Sequence, residues 1–287
     1  MKLPPALRNW TAKPGEPTEV SPGVVRVLQN NPGPFTGPGT NTFLLGSDEL
    51  WILDPGENQA THRDALLAAI DSRPVRGILI SHGHEDHWPL APALAHLTGA
   101  EIWAFQETDE LRPNHRLVHD HHVPLVIAGE NARIRFLHTP GHCADHFSFG
   151  LEQDEEPPLV LCADHVMAWS TTILSPRDGD LDAYLASLDL LIGLQPTRML
   201  PAHGPQITDP VARMKELRDH RLERTDQLLA ALDTPATLQD VVPVVYADVD
   251  PAMHGAAAAS LQAHVESLLR QKRLDRDEDG TLRRRDP

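Results

Sequence analysis

The sequence predicts an α/β protein with a helical C-terminal region, and three observations carry that prediction. Short apolar runs alternate with segments of helical spacing, the pattern of layered strands and helices. Several of those runs end on a histidine or an aspartate. From about Asp209 the strand signals give way to long amphipathic stretches.

In chain order, residues 1–23 read as a Pro-rich lead-in with little periodicity, and Val24–Leu28 as a short strand. Residues 31–41 hold three glycines and three prolines and read as a loop. Thr42–Leu45 and Leu50–Leu53, separated by Gly46-Ser47-Asp48-Glu49, carry a hairpin signal. His62–Ile70 has helical spacing, and Val75–Ile80 is a strand that runs directly into a histidine cluster. A helix over Ala91–Leu97 and strands over Ile102–Ala104, Ile134–Leu137 and Leu159–Cys162 follow. A helix over Leu181–Ile192 leads to a short strand, Arg198–Leu200. The last three strands run into His138, Asp164 and His203.

Beyond Asp209, a plausible N-cap followed by Pro210, three helices are predicted over Val211–Leu232, Thr237–Val245 and Pro251–Leu269. Lys272–Leu274 and Thr281–Arg283 then flank a turn at Asp277–Gly280. Three helices and a hairpin suggest a winged-helix arrangement, so the expected domains are 1–208 and 209–287.

The formal charge is −16. Residues 210–287 carry 12 Lys/Arg against 14 Asp/Glu, a net −2, which leaves −14 on residues 1–209. That balance disfavours a large phosphate-binding surface. Two cysteines, Cys143 and Cys162, are too few for a disulfide framework or a Cys-rich zinc module. No apolar run approaches the ~18 residues of a membrane helix, and Met1–Trp10 shows no apolar secretory core. A cytoplasmic location is the default expectation.

The strongest chemical signal is Ser81-His82-Gly83-His84-Glu85-Asp86-His87, an H-x-H-x-D-H pattern immediately after a strand. Neutral imidazoles with a carboxylate suit Zn²⁺ first, and Mn²⁺ or Fe next. Downstream come Thr139-Pro140-Gly141-His142, then Asp164, then His203-Gly204, each following an apolar strand.

This ordered set resembles the metallo-β-lactamase superfamily over roughly residues 20–208. The resemblance implies an αββα sandwich, two facing sheets with helices outside. It also implies two divalent ions: His82, His84 and His142 at the first, Asp86, His87 and His203 at the second, and Asp164 bridging them. Asp86 and Asp164 are the residues expected to take part in catalysis. Asn31-Pro32-Gly33-Pro34, Gly39-Thr40-Asn41-Thr42 and Asp145-His146 are similar to the β-lactamase-like protein 2 branch, which carries a C-terminal winged-helix-like domain. Ala163 departs from the commoner Gly before the bridging aspartate.

Several residues have plainer readings. His119-Asp120-His121-His122 looks like a second metal motif but reads as a polar loop in a segment ending at Pro124, and His138 as hydrogen-bonded support. His146 and His165 are candidates to orient ligands, and Cys143 reads as a small core filler. Trp88 and Trp169 to Thr172 fall where substrate walls are expected. Residues 31–42 read either as a mobile lip over the metals or as a rigid hairpin approach. Arg283 to Arg285 read as a solvated tail.

The implied chemistry is a dinuclear hydrolase in which a metal-bridging hydroxide attacks an ester-, thioester- or lactone-like small substrate. A true β-lactamase is disfavoured by Asp164. The alternative is an endoribonuclease or phosphodiesterase on single-stranded RNA, which the acidic charge opposes unless Arg133, Arg135 and Arg177 make a local groove. A non-catalytic partner-binding module with a structural metal is a further alternative, against which the complete ligand set counts. The C-terminal region is expected to pack or to shape a homodimer rather than read DNA.

Overall fold

The computed structural model describes residues 7, 10–153, 156–174 and 177–285; the reading of Met1–Trp10 falls mostly outside them. The chain divides into two units. One comprises Met1–Thr139, Asp145–Ser170 and Leu194–Pro210, and the other Pro140–Ala144, Thr171–Gly193 and Val211–Pro287.

The first unit holds two sheets. Its larger sheet runs in sequence order through β1 (Pro17–Ser21), β2 (Val24–Leu28), β3 (Asn41–Leu45), β4 (Leu50–Leu53), β5 (Val75–Leu79), β6 (Glu101–Ala104) and β7 (His115–Arg116). Its antiparallel part, β1 to β4, becomes parallel from β4 onward, with α1 (Ala60–Ile70) and α2 (Ala91–Thr98) as crossovers. The smaller sheet has the order β12-β11-β10-β9-β8, built from β8 (His122–Ile127), β9 (Glu130–His138), β10 (Phe147–Glu152), β11 (Leu159–Ala163) and β12 (Arg198–Pro201). Only β11 and β12 run parallel there.

Strand alternation sends Phe43, Leu45, Trp51, Leu53 and Leu79 to one face, where they share a core with Ile134, Phe136, Phe147, Phe149, Leu161 and Leu200 of the other sheet. The opposite face of the larger sheet, with Leu44, Ile52, Ile78 and Ile102, packs against Leu66, Ile70, Leu90 and Leu94 of the two helices. This is the expected sandwich.

Four strands escape the sequence reading, among them the two-residue β7. β1 lies in the Pro-rich lead-in as a sheet edge with three exposed residues. β10 follows so closely on the T-P-G-H segment that its Phe-Ser-Phe alternation is hidden. His122, read as loop, opens β8; Pro124 is tolerated there because β8 is an edge strand. His119 to His122 form no metal-holding group among the described residues.

The second unit holds α3 (Leu181–Gly193), α4 (Pro210–Ala231), α5 (Leu238–Val245) and α6 (His254–Arg270), then the hairpin β13 (Leu274–Arg276) and β14 (Leu282–Arg284). Thr237 and Asp240 cap α5 reciprocally. The helix expected from Pro251 begins as a single 3₁₀ turn over Pro251–Met253. Leu228, Leu232, Val241, Val245, Leu261, Leu268, Leu274 and Leu282 form the core of this winged-helix region. No described helix is long and apolar enough to cross a membrane.

Candidate metal centre

Parallel neighbours deliver the residues at their carboxyl ends side by side. β4 and β5 thereby bring Asp54 next to Ser81, and β11 and β12 bring Asp164 next to the His203 loop, with Ala202 N donating to Ala163 O at 3.0 Å. Six of the seven expected ligands lie in the first unit. Ligand atoms of His82, His87 and Asp164 lie within 4.8 Å of one another, as do those of Asp86, His87 and His203.

Asp164 occupies the middle. Its Oδ2 is 4.0 Å from His82 Nε2 and 3.7 Å from His87 Nε2, while its Oδ1 is 3.3 Å from His203 Nε2. Asp86 Oδ2 is 3.2 Å from His203 Nε2 and 3.5 Å from His87 Nε2. His84 Nδ1 is 3.0 Å from His82 Nε2.

The hydrogen bonds behind the rings decide which nitrogen is left for a ligand. The Ser81 hydroxyl donates to Asp54 Oδ2 at 2.6 Å, so at 3.0 Å it accepts from His82 Nδ1. His87 Nδ1 donates to Asp54 Oδ2 at 2.9 Å, and His203 Nδ1 to the Gly39 carbonyl at 3.2 Å. In the second unit, His142 Nδ1 donates to the Ile173 carbonyl at 2.6 Å. Carbonyls and carboxylates only accept, so each neutral ring is left with its lone pair on Nε2. For His87 that buried lone pair has no hydrogen-bond donor and faces two carboxylates. Acceptors crowded onto acceptors fit a cation among them, and imidazole with carboxylate is the donor set of Zn²⁺, Mn²⁺ or Fe.

Electrostatics give the same demand. Burial opposes charge on His203, yet Asp164 raises it to about 9. Burial likewise opposes charge on His87, but Asp86, Asp164 and Asp54 raise it well above the usual range. Asp164 is held well below the ordinary carboxylate value by His203 and His87 despite its burial, and Asp86 is lowered by His87 and His203. The pocket requires positive charge on the inner side of its rings; divalent ions would supply it with the histidines neutral.

The supporting residues were only partly foreseen. Asp54 was missed, although Leu53-Asp54 repeats the signal used elsewhere, a polar residue at a strand's carboxyl end. It is 1% exposed, in the left-handed region at φ 49°, and also accepts from Ser81 N at 2.8 Å. Asp145 was noticed only for its family resemblance; it accepts from Gly83 N at 2.8 Å and pins the H-x-H turn. His146 accepts from Asp164 N at 3.2 Å, which leaves its Nδ1 to donate to Thr139 Oγ1 at 2.9 Å. His165 is buried, its ring 5.6 Å from that of His146. Cys143 is buried, as a small core filler would be. His138 stacks on Phe105 and its backbone N donates to His119.

Two wall readings change. Trp88 packs into the cluster beneath α1 and α2. Trp169 donates Nε1 to the His203 carbonyl at 3.2 Å and fills space where a Cβ on Gly37 or Gly204 would lie within 2.8 or 2.7 Å. Residues 31–42 are a stapled approach: Asn31 Nδ2 donates to Thr40 Oγ1 and Glu57 Oε1, and Asn31 Oδ1 accepts from Thr40 N. Ala163 adopts φ +42°, a conformation costing about 1 kcal/mol or more without glycine. That is the physical reason glycine commonly stands there.

Fold and ligand set together define a metal-dependent hydrolase of the two-sheet sandwich class. The chain belongs to the metallo-β-lactamase superfamily, whose family model matches residues 35–203, and a β-lactamase-associated winged helix domain matches residues 237–284. It is 32% identical to a β-lactamase-like protein 2 homolog of Caenorhabditis elegans over 88% of this chain and 86% of that one. It is 34% identical to an atrochrysone carboxyl ACP thioesterase of Aspergillus chevalieri over 80% of this chain and 75% of that one. Among solved structures, a β-lactamase domain protein from Burkholderia ambifaria shares the fold at a TM-score of 0.79 and 23% identity, covering 98% of this chain and 97% of that one. A metallo-β-lactamase family protein from Thermus thermophilus has a TM-score of 0.74 at 23% identity, covering 93% of this chain and 100% of that one.

Proposed function

We propose that this chain is a dinuclear hydrolase of small ester-like acyl substrates, with thioesters first and lactones next. The observation that carries the reading is the ring of Nε2 lone pairs converging with Asp86 on Asp164, a cluster that needs cations. His82, His84 and His142 are assigned to one ion, Asp86, His87 and His203 to the other, and Asp164 to both. Zn²⁺ is the first candidate, Mn²⁺ or Fe the next. Residues 1–208 serve as the catalytic domain and 209–287 as the winged-helix domain.

Bound ions would supply an activated water and polarise the scissile carbonyl. The protein's part is to fix that centre. Asp54 holds His87 and, through Ser81, His82; His146 holds the Asp164 backbone; Gly39 and Trp169 hold His203. No nucleophilic serine or cysteine is required, and Cys162 is unsuited because burial raises its thiol.

The thioester preference draws support from the thioesterase-named relative and from the acidic charge, which does not repel a neutral acyl group. The test is a panel of thioesters, lactones, β-lactams, phosphodiesters and single-stranded RNA with metal-loaded protein, each with a chelated control. Chelator-sensitive thioester or lactone turnover is expected to lead the panel. RNA or phosphodiester cleavage leading it, or activity indifferent to chelation, overturns the reading.

A further inference from the structure

Helix α4 buries an arginine that no ion pair among the described residues explains. Arg221 is 2% exposed, and its guanidinium donates to the Thr172 carbonyl and lies 5.2 Å over the Tyr184 ring. Burying an unpaired charge is costly, so its position calls for a reason. The next peptide supplies one: the Ile173 carbonyl accepts His142 Nδ1 at 2.6 Å. Thr172 and Ile173 belong to no helix or strand, and their carbonyls point to partners on either side.

The His142 backbone is tied to the same neighbourhood. Asp180 N donates to the Gly141 carbonyl at 3.0 Å, and Ser187 Oγ to that of Pro140 at 2.8 Å. Gly141 has φ +135°, and any Cβ there would strike the Tyr184 backbone. The backbone before His142 is thus referred to α3, and its ring, through Ile173 and Thr172, to Arg221.

We propose that Arg221 is a positioning residue for the metal centre. Its guanidinium holds the Thr172 carbonyl, and the adjoining Ile173 carbonyl keeps His142 in the Nδ1–H form with Nε2 aimed for a metal. The C-terminal helical region is then a working part of the hydrolase. This rests on His142 being a ligand, as proposed above.

Arg224, one turn further, is a matched control. It is 8% exposed, donates to the Val245 carbonyl and Asp248, and sits 4.7 Å over Tyr246, within the helical region itself. Arg221→Met, Arg221→Lys, Arg224→Met and His142→Ala would be compared in full-length protein. The readouts are Zn²⁺ affinity by chelator competition, the histidine Nδ1–H signals by NMR, and apoprotein folding by circular dichroism. Arg221→Met is expected to weaken one ion about 10–100-fold and to open the His142 Nδ1–H to solvent exchange. Arg221→Lys keeps the charge without the fork and should lose part of the same affinity. Arg224→Met should lower the melting temperature and leave both affinities within about twofold. If Arg221→Met fails to fold, the lysine variant decides. Unchanged affinities in the folded Arg221 variants, with an ion lost in His142→Ala, overturn this inference alone. Both ions retained in His142→Ala overturn the ligand assignment and the inference with it.

Discussion

Two sets of buried histidines behave oppositely. His87 and His203, 0% and 1% exposed, are pushed toward the charged form; His62 and His264, 3% and 0% exposed, are pushed down to about 4 and about 3. Burial acts against charge in all four. What differs is the facing group: Asp86 and Asp164 oppose the metal-centre rings, whereas Arg221, His220 and Arg224 surround His264. Among the described residues His62 meets Thr42, to whose hydroxyl its Nε2 donates, because that hydroxyl gives its own proton to the Asp54 carbonyl. At equal depth, the facing groups make one set candidate ligands and the other neutral core.

The severest way to break the contrast is to remove its central carboxylate. Asp164→Ala is expected to lower turnover by about 10³-fold or more, since it deletes the proposed bridge and leaves the two cations repelling. Metal analysis should find the ion of Asp86, His87 and His203 lost before the other. Near-normal turnover would refute the bridging assignment. Asp54→Asn acts one layer out. It weakens the acceptor for His87 and Ser81, and metal affinity should fall about 10–100-fold in a chelator titration.

The contrast also predicts opposite pH behaviour in the metal-free protein. His264 and His62 have lowered folded values. Their stabilising contribution is present above about 6.5 and is lost as pH falls toward 3 to 4. His203 has a raised value, so its contribution is present below about 6.5 and lost as pH rises through about 9. Urea melts of His264→Gln should flatten the acid limb by up to about 1.4 kcal/mol per pH unit, one proton's worth. The alkaline limb should stay as in the parent. Zinc added at pH 7.5 should meanwhile displace protons from His87 and His203, about one to two per chain by calorimetry in buffers of different ionisation enthalpy.

The proposed ligands were legible because they cluster just beyond the ends of apolar strands, and strand and stop are both local signals. The supports were less legible because they act across long separations. Asp54 lies 27 residues from Ser81, and Gly39 lies 164 from His203, whose ring it orients. β8 was obscured by Pro124, whose tolerance depends on an edge position that only the sheet reveals. Trp169 was expected as a wall because sequence places it beside Asp164, but two glycines of positive φ make room for it to pack beneath His203.

The smallest expected effect concerns polyanions. Five of the six arginines that could have gripped RNA are occupied: Arg133 pairs with Glu152 at 2.7 Å, Arg135 with Asp120 at 2.6 Å, and Arg283, Arg284 and Arg285 with Asp277, Asp233 and Asp275. These are exposed or half-exposed pairs and are worth little to stability. They still cancel the charge that counterion release would count. A phosphate approaching Arg133 must displace a carboxylate, not a released cation from its own shell alone, so each contact gains less than an unpaired arginine would give. Single-stranded RNA should therefore bind weakly, with a log–log salt slope near that of about one or two phosphates. Arg133→Ala and Arg285→Ala should leave the slope almost unchanged, since neither side chain is available to begin with. Filter binding between low and physiological salt measures this directly. A steep slope that either substitution reduces by about one would mean the pairs open for RNA, and would move the nuclease reading ahead of the thioesterase.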